Sequence, residues 1–535
     1  MTVAPPPASP DLAVGAFTDH GPWIVDPTQL TWRRDIDRLR RRTRAEVPQL
    51  MRRRRLPPGR RVLRVGAVLG GALGHWYVGA RRTGSTASRA DLSRRLRDAF
   101  EELGPTYIKL GQIISSGEGI FPAELVGQFK RLRDQVRPET FDDVRRVVET
   151  DFGRPLEEVF SWFSREPVAA ASIAQVHRAT LCTGEPVVVK VQRPSVAALV
   201  RRDLAAMSWI APVLVGRIPV AALANPPALV ELFAETIVEE LDFRLEAENM
   251  LDTARILAET GESQAMVVPR PHPDLVTRRV LVMEELSGFA FDDLAGMQAA
   301  GIDTERIVQA GMVAFLEGAM LYGVFHGDLH GGNLLVLPDG RVGLLDHGIT
   351  GRLDEPRRLA FLRLLLGGTV NDIRLQLGAL RDLDALPPDV DLEAVIRDLK
   401  LDGPPIDPTK LTPDELLREI RELTKALLAY GARMPKELML FVKDMLFLDG
   451  AIATLAPDVD LFAEVTRVAT HFATRHGDRI LRDIGIDPRT VEIDLAGIKG
   501  SFGVDADTPS LTYRELQARR QVIQRRMESR QRRHR

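Results

Sequence analysis

The sequence predicts an α+β protein with two lobes, a helical extension before them and a helical C-terminal region. Three observations lead to this fold class. Apolar residues recur at helical spacing through residues 89–160 and 367–480. Runs of β-branched residues separated by tight turns fill residues 165–194. At residues 278–288 an apolar strand runs into a polar linker that ends in glycine, where one lobe would give way to the next.

Length and composition indicate a globular chain in a reducing compartment. The 535 residues allow roughly two to four domains, and 44% hydrophobic residues with 27% charged residues permit a sizeable core. A formal net charge of −2 gives no reason to expect nucleic acid as a partner. Cys182 is the only cysteine, which excludes intramolecular disulfides and cysteine zinc sites. We divide the chain into a Pro-rich and basic extension (1–88), a helical subdomain (89–160), a strand-rich lobe (161–287), a helical lobe (288–480) and a basic tail (481–535).

The sequence shows neither a signal peptide nor a convincing membrane span. The best candidate, Val65–Ala80, is Gly-rich and shorter than the ~20 apolar residues that a spanning helix needs, so we predict a hairpin or a surface-lying segment. Arg33–Arg61 is either a solvated helix or a stretch attracted to anionic lipid. Residues 510–535 predict a free basic helix. We expect a cytoplasmic protein, with peripheral contact at the inner face of the membrane as an open alternative.

The helical subdomain contains a group of polar residues on one helix. After the helix breaker Gly104-Pro105 come Lys109, Gly111 and Gln112. Lys109 and Gln112 are three residues apart and share one face, and Gly111 leaves room beside them. A lysine and a glutamine on a helix are usually exposed to solvent, so this pattern alone indicates little.

The strand-rich lobe begins with an alanine-rich segment. Ala169-Ala170-Ala171-Ser172 is followed by a strand, a turn at Thr183-Gly184 and the apolar strand Pro186–Val191. Lys190 lies within that last strand, where a lysine is costly to bury unless a partner is present. The alternative is an edge-strand lysine whose ammonium group reaches water.

Residues 229–256 predict one long helix with an acidic cluster. Asp242 and Glu246 are four residues apart and would lie on one face, close to Glu240. Two like charges there favour a cationic partner, and Lys190 is the natural one. Without that partner the cluster would be a solvated acidic face. Downstream, the polar segment that contains Glu284 and Leu286 fits a hinge between the two lobes.

The most specific pattern is a loop, a hairpin and a second loop. The loop His326–Asn333 precedes two short apolar strands joined by an Asp-Gly turn, and Asp346 follows them. Asp328 and Asn333 have the spacing of a phosphoryl-transfer catalytic loop, in which one carboxylate faces the acceptor. The amide oxygen of Asn333 and the carboxylate of Asp346 would hold Mg²⁺ against the phosphates of ATP. Backbone groups of the hinge at Glu284 and Leu286 would meet the adenine.

Two alternatives for this loop remain open. It could be a surface loop rich in Gly and His. His326, His330 and His347 could also form a metal site, although the glycines within residues 327–332 argue against the helix that a His-x-x-x-His pair would need.

Together these motifs resemble the UbiB/AarF (ABC1-type) family of atypical kinases over roughly residues 90–370. Lys109-x-Gly111-Gln112 looks like the family's N-terminal signature, and the segment from Ala169 to Ser172 looks like its Ala-rich loop. Lys190 matches the nucleotide lysine, Glu246 the glutamate that pairs with it, and Glu240-x-Asp242 the acidic signature. The positions that match the family's catalytic and metal-binding residues are Asp328, Asn333 and Asp346.

The resemblance implies a protein kinase-like fold whose added helices cover the place where a peptide would bind. It also implies ATP and Mg²⁺ as cofactors, and an ATPase or a kinase directed at a small molecule or lipid such as a quinone precursor. Lys109, Gly111, Gln112, Glu240 and Asp242 would gate the pocket. His347 departs from the family, which usually has Phe there, and adds a polar atom to the turn. The short stretch after Asp346 leaves no long activation segment, which argues against a protein substrate.

Two other functions fit the same residues. An aminoglycoside-type phosphotransferase would share the His-Gly-Asp-x-His-x-x-Asn loop, although the Lys-x-Gly-Gln element and the Ala-rich loop argue against it. A pseudokinase scaffold would bind nucleotide without turnover. We also expect the Ala-rich loop to change nucleotide preference, because alanine does not reach φ > 0 as readily as glycine and so wraps a phosphate less well.

Overall fold

The computed structural model describes residues 17–19, 21–26, 28–52, 56–78, 85–115, 122–132, 138–214, 226–260, 265–401, 426–427, 429–502, 504–505 and 507–521. The chain forms two compact units. The first comprises Met1–Gly288, Gly332–Leu337 and Val342–Thr350, and the second comprises Phe289–Gly331, Pro338–Arg341 and Gly351–Arg535. The main division follows Gly288, next to the boundary at residue 287 that the sequence predicts.

Helices of the first unit form where apolar residues recur every three or four positions. In the helix Phe141–Phe152, Val144, Val147 and Val148 are buried, the Thr140 side chain accepts an amide of the first turn, and Gly153 ends the helix with a φ of 68°. The helices of this unit are α1 (Ile36–Leu50), α2 (Arg60–Val78), α3 (Ser85–Leu103), α4 (Pro105–Ser115), α5 (Ala123–Phe129), α6 (Phe141–Phe152), α7 (Val196–Leu214), α8 (Pro226–Glu239) and α9 (Phe243–Thr260).

The main sheet of the first unit is antiparallel, with the strand order β1-β3-β4-β7-β6 and β2 paired to β3. Along the inner strand β4, Val187, Val189 and Val191 pack in one apolar cluster with residues of α6. Lys190 therefore points to the opposite face, because side chains alternate along a strand. The strands are β1 (Phe160–Phe163), β2 (Ala169–Ala170), β3 (Ala174–Leu181), β4 (Pro186–Gln192), β5 (Met266–Val267), β6 (Pro271–Val276) and β7 (Val280–Glu284).

The predicted hairpin after the glycine-rich loop is confirmed. Its strands, Leu334–Val336 and Val342–Leu344, pair antiparallel with Leu334 opposite Leu344. The second strand also pairs in parallel with β5. Gly340 has a φ of 85°, which suits a tight turn.

A large apolar cluster joins helices α1 to α5 with α7 and α8. Leu92, Phe129, Leu204 and Phe233 are among its fully buried members. Ile173, which follows the Ala-rich segment, belongs to the same cluster. The tip of the Ala-rich loop is therefore part of the core of the helical subdomain.

Two helix predictions in the first unit need correction. The hairpin alternative for Val65–Ala80 is wrong, because Arg60–Val78 is one helix whose buried residues recur at helical spacing. The single long helix predicted over 229–256 is also wrong, because it is broken between α8 and α9 at residues 240–242. Asp242 starts α9 there, and its Oδ1 accepts the Arg244 amide at 3.2 Å. Among the described residues, no helix combines the length and hydropathy needed to cross a membrane.

In the second unit, aspartates begin most of the helices. The side chains of Asp303, Asp354, Asp372, Asp391 and Asp460 each accept a backbone amide in the first turn of the helix that follows. The helices are α10 (Leu294–Ala299), α11 (Thr304–Glu317), α12 (Glu355–Thr369), α13 (Ile373–Asp382), α14 (Leu392–Leu399), α15 (Lys436–Leu455), α16 (Leu461–Ile484) and α17 (Leu495–Ser501).

The core of the second unit contains a group of phenylalanines around Phe441 of α15. Its ring centroid lies 5.2 Å from that of Phe315, 5.9 Å from that of Phe325 and 4.5 Å from that of Phe361. After α11 the chain continues as a π-helical turn, Gly318–Tyr322. The remaining short strands are β8 (Phe289–Ala290), β9 (Val324–His326), β10 (Leu334–Val336), β11 (Val342–Leu344) and β12 (Thr350–Arg352). Of these, β10 and β11 belong to the first unit.

The predicted tail boundary at 481 falls inside α16. The helix continues to Ile484 because Ile480 and Ile484 pack with Leu321. The described part of the predicted free helix, up to residue 521, is packed rather than free: Leu511, Tyr513 and Leu516 are buried. Residues 522–535 and the Pro-rich residues 1–16 lie outside the described residues.

Candidate functional site

Lys190 lies between two carboxylates in the first unit. Its Nζ is 2.6 Å from Oε1 of Glu246 and 3.1 Å from Oδ2 of Asp346. Three elements bring these groups together: β4 carries Lys190, the first turn of α9 carries Glu246, and Asp346 follows β11. The Lys190 side chain is 13% exposed, that of Glu246 3% and that of Asp346 42%. Asp346 is therefore the member of the triad that a ligand reaches.

Burial and charge oppose each other in this triad. Burial disfavours the charged form of Lys190, but Asp346 and Glu246 outweigh it and raise the pKa of Lys190 above its ordinary value. Burial raises the pKa of Glu246 to about 7, although Lys190 lowers it. Burial would also raise the pKa of Asp346, but Lys190 and the Gly348 amide hold that pKa well below its ordinary value. Asp346 is thus ionised at neutral pH, whereas Glu246 exchanges its proton there.

A second ion pair lies beside the triad. Nζ of Lys109, on α4, is 3.1 Å from Oε1 of Glu240, which lies in the break between α8 and α9. The Gly348 amide donates to Oδ1 of Asp346 at 2.8 Å. A Cβ at Gly348 would lie 3.1 Å from that Oδ1 and 3.5 Å from Cγ of Glu240, so a side chain there would crowd the Asp346 carboxylate and contact the side chain of Glu240. The structure therefore brings Lys109 and Glu240 together next to Asp346.

Two residues predicted for this cluster have other partners. Asp242 was expected to face Lys190 from the same helix face as Glu246, but it precedes α9 and pairs with Arg244 at 2.7 Å. Gly111 was expected to leave room beside Lys109 and Gln112. Instead, Gly111 allows α5 and the residues after it to pack closely against α4. A Cβ at Gly111 would lie 2.2 Å from Cδ1 of Leu132 and 2.7 Å from Cδ1 of Phe129.

The Ala-rich loop forms β2 and a tight turn. The Ala171 amide donates to the Ala174 carbonyl at 2.8 Å, and the Ala171 carbonyl accepts from Nε of Arg193 at 3.0 Å. Ser172 and Ile173 are buried. The loop is held at its tip by an arginine and by the helical cluster, so it is not a free flap.

In the hinge segment, the side chain of Glu284 has a structural partner. Its carboxylate accepts the Arg270 amide at 3.1 Å and pairs with the Arg270 guanidinium at 3.3 Å. Leu286 lies over β11, where a Cβ at Gly343 would be 2.8 Å from Cδ1 of Leu286. The Glu284 amide also donates to the Arg270 carbonyl at 2.9 Å, so a role for Glu284 toward a nucleotide is confined to its carbonyl group.

The hairpin β10–β11 places Asn333 next to Asp346. The Leu345 amide donates to the Asn333 carbonyl at 2.9 Å, so the two residues lie at the same end of the hairpin. His347 is fully buried, and its carbonyl accepts from Nδ2 of Asn249 at 2.9 Å. An ionised carboxylate and an amide oxygen are the donors that Mg²⁺ prefers, so Asp346 and Asn333 fit a magnesium ion.

Asp328 belongs to the second unit and pairs with Lys443 of α15. Next to it, Oδ1 of the fully buried Asp444 accepts the Leu329 amide at 3.0 Å, and burial raises the pKa of Asp444 well above its ordinary value. The Asp328 amide donates to Nδ1 of His326 at 3.1 Å. Sequence reasoning missed Lys443 and Asp444, although two adjacent charged residues inside an apolar helix were an available signal.

Among the residues that the structure describes, His326, His330 and His347, proposed as an alternative metal site, are not found as a group of ligating side chains. Within the described part of the chain, one group of three or more His, Cys, Asp or Glu side chains is compact enough to hold a metal ion, and it consists of Glu317, His471 and His476.

The chain is similar to several known proteins. The family model of the ABC1 atypical kinase-like domain matches residues 131–375. The uncharacterized protein MT0675 of Mycobacterium tuberculosis is 35% identical over 365 residues, which are 68% of this chain and 75% of that protein. A probable protein kinase UbiB of Marinobacter nauticus is 31% identical over 384 residues, which are 70% of this chain and 68% of that protein. A solved complex of Rv3197 with erythromycin from Mycobacterium tuberculosis covers 65% of this chain and 91% of its own, at 21% identity and a TM-score of 0.36.

Proposed function

Because the chain belongs to the ABC1 atypical kinase-like family, we propose that it is an ATP- and Mg²⁺-dependent kinase or ATPase. Its fold is α+β and protein kinase-like. One observation carries the proposal: Lys190 on an inner strand is paired with Glu246 and Asp346 at once. A cation between a helix glutamate and the carboxylate of a D-x-G turn is the arrangement with which kinases hold nucleotide phosphates.

In this proposal each residue has a distinct task. Lys190 binds the phosphates, and Glu246 orients Lys190. Asp346 and Asn333 hold Mg²⁺, which when bound neutralises the charge of the phosphates. Asp328 orients the acceptor hydroxyl or water and accepts its proton. Lys109 and Glu240 gate the pocket beside Asp346, and the backbone of Glu284 and Leu286 meets the adenine.

We further propose that the acceptor is a small molecule or lipid, with a quinone precursor as the leading candidate. The segment after Asp346 supports this, because β12 ends at Arg352 and α12 begins at Glu355, which leaves no segment to seat a peptide. The first unit also contains an apolar cavity of ≈ 130 Å³, lined in part by Phe100, Tyr107 and Phe129. Its size is similar to that of the engineered cavities of about 150 Å³ that bind benzene.

Phosphate release from ATP by the purified full chain with Mg²⁺ tests the proposal. It is measured with and without anionic vesicles and a quinone-precursor-like phenol. We expect release that rises with vesicles or phenol and falls at least tenfold in Asp346→Asn. The matched control is Asp339→Asn, which changes the same side chain in the exposed hairpin turn and should release phosphate like the unmodified protein.

A nucleotide-binding scaffold is the second candidate, and the ion pair between Asp328 and Lys443 favours it. A carboxylate that is already paired with a lysine is a weaker proton acceptor. Asp328→Asn separates the two functions. An enzyme loses phosphate release and its cellular role together, whereas a scaffold binds nucleotide without release and keeps its cellular role in the variant.

A further inference from the structure

A separate group of ligating side chains lies in the second unit, at the end of α11. Glu317 is the last residue of α11, and His471 and His476 lie on α16. Nε2 of His471 is 2.8 Å from Oε1 of Glu317, and Nε2 of His476 is 2.6 Å from the same oxygen. Ligating atoms of all three side chains lie within 4.8 Å of one another.

The carboxylate of Glu317 is buried, and among the described residues only one of its two oxygens has hydrogen-bond partners. Its side chain is 0% exposed, whereas His471 is 18% exposed and His476 13%. Both imidazoles converge on Oε1, and Oε2 accepts no hydrogen bond from the described residues. An unpaired polar atom in a fully buried position costs free energy, so this arrangement is incomplete as a hydrogen-bonded group.

The backbone next to Glu317 is unusual as well. The π-helical turn Gly318–Tyr322 follows it directly, and such turns occur frequently at functional sites. Nη1 of Arg358 donates to the Met320 carbonyl at 3.0 Å, and Arg479 of α16 donates to the Leu321 carbonyl. Arginine side chains therefore bind carbonyl groups of the turn. One of these arginines lies on α16, the helix that carries both histidines.

We propose that Glu317, His471 and His476 bind a divalent transition metal of the Zn²⁺ class. Two imidazole nitrogens and one carboxylate form a common protein ligand set for Zn²⁺, whereas Mg²⁺ and Ca²⁺ prefer sets made of oxygen. With zinc–ligand bonds of about 2.0–2.1 Å, ligand atoms at tetrahedral positions lie about 3.3 Å apart. The two distances from the imidazole nitrogens to Oε1 of Glu317, 2.8 Å and 2.6 Å, then lengthen by roughly half an ångström as the Nε2 protons leave. Water would complete the coordination from the partly exposed histidine side.

Such an ion would hold α16 to the end of α11. From Glu317 the chain passes through the π turn and β9 to Asp328, all within the second unit. The metal would touch neither nucleotide nor acceptor, so its role is to stabilise the segment that carries Asp328. In this respect it is independent of the Mg²⁺ proposed at Asp346.

Titration of the full-length protein with Co²⁺ tests the site, after treatment with EDTA and in the presence of excess Mg²⁺, which occupies sites made of oxygen. We expect one equivalent of Co²⁺ to bind with the visible absorption of a tetrahedral nitrogen and oxygen site, and Zn²⁺ to displace it. His471→Asn and His476→Asn should each weaken binding at least a hundredfold. His75→Asn, the same change at an exposed histidine of α2, and Asp346→Asn should leave binding unchanged.

A second measurement keeps the proposal testable if Glu317→Gln or a histidine variant folds poorly. Hydrogen exchange of the unmodified protein should slow in residues 304–329 and 461–484 when Zn²⁺ is added, and its melting temperature should rise with Zn²⁺ concentration. Failure of the metal-free protein to bind Co²⁺ would overturn the proposal, as would binding that both histidine variants retain.

Discussion

At the scale of single residues, Lys190 is shared by two carboxylates with different proton affinities. Glu246 keeps its proton up to a pKa of about 7, whereas an unfolded chain releases it near the ordinary value of 4.5. Between these pH values the folded protein binds more protons than the unfolded chain does. The free energy of unfolding contributed by Glu246 therefore falls as the pH rises through this window.

Glu246→Gln should remove this pH dependence. We expect urea denaturation between pH 5 and pH 7 to show a flatter slope in the variant, with a total difference on the order of 1 to 3 kcal/mol. Glu259→Gln, at the partly exposed end of the same helix, is the control and should keep the slope of the unmodified protein. If the free energy of unfolding of Glu246→Gln changes with pH as steeply as that of the unmodified protein, then Glu246 is already ionised at pH 5.

A second single-residue prediction concerns the ion pair between Lys443 and Asp328. Lys443→Ala removes the cation that fixes the position of the Asp328 carboxylate. Because a misplaced catalytic group loses more rate than its higher proton affinity gains, we expect phosphate release to fall roughly tenfold or more while nucleotide affinity stays unchanged. Lys443→Arg should restore part of the loss, because it keeps the charge. Lys436→Ala, at the start of the same helix, serves as the control. Unchanged release in Lys443→Ala would make the ion pair irrelevant to turnover.

The sequence predicted some of these partners and missed others for physical reasons. Glu246 could be predicted because a lysine in an apolar strand needs a carboxylate. The prediction that Asp242 faces Lys190 was wrong, because residues four apart share a face only in a continuous helix. The helix is broken at residues 240–242. Lys443 was missed, because two adjacent charges in an apolar helix indicate a polar contact but do not indicate which element supplies the partner.

At the scale of elements, Gly111 determines how closely α4 approaches α5. Gly111→Ala would press a methyl group into the buried side chains of Leu132 and Phe129, which would have to shift from their packed positions. We expect a loss of about 1 to 3 kcal/mol in the free energy of unfolding, measured by chemical denaturation. Gly127→Ala on α5, whose Cβ would meet nothing within 4 Å, should stabilise the protein by up to about 1 kcal/mol. Equal effects of the two changes would contradict the close approach.

Elements with strong local signals were predicted, and elements that depend on tertiary packing were not. The hairpin around Gly340 has two continuous apolar strands and a turn that needs glycine. In α2 the glycines suggested a hairpin, but Val62, Val65 and Leu69 bury one helical face, and that packing outweighs helix propensity. The break between α8 and α9 interrupts an apolar period that continues on both sides of it, so periodicity alone conceals it.

At the scale of the whole molecule, many basic residues near the N-terminal end are already paired. Arg33 contacts Glu248 at 2.7 Å, Arg44 contacts Glu239 at 3.0 Å and Arg61 contacts Asp203 at 2.5 Å. These arginines tie α1, α2 and the short helical turn before α1 (Thr31–Arg33) to other helices of the first unit. A net charge of −2 therefore conceals a local division between arginines that stabilise the fold and arginines that face solvent.

Arg38, Arg41 and Arg42 are exposed on α1 and should determine any attraction to anionic lipid. Replacing all three with Gln should weaken sedimentation with anionic vesicles at low salt, by about 1 kcal/mol for each charge at most. Arg475→Gln combined with Arg482→Gln on α16 should have no effect. Vesicle binding that is absent in the unmodified protein, or equal in both variants, would exclude this role for α1.

The burial of Ile173 has a consequence for the choice of fragment boundaries in this protein. The family model matches residues 131–375, but the apolar surfaces of that segment around Ile173, Val200 and Phe233 are covered by helices that begin near residue 36. A fragment that started at residue 131 would expose those surfaces to water and would aggregate. A fragment that is to stay soluble must therefore be longer than the segment that the family model matches.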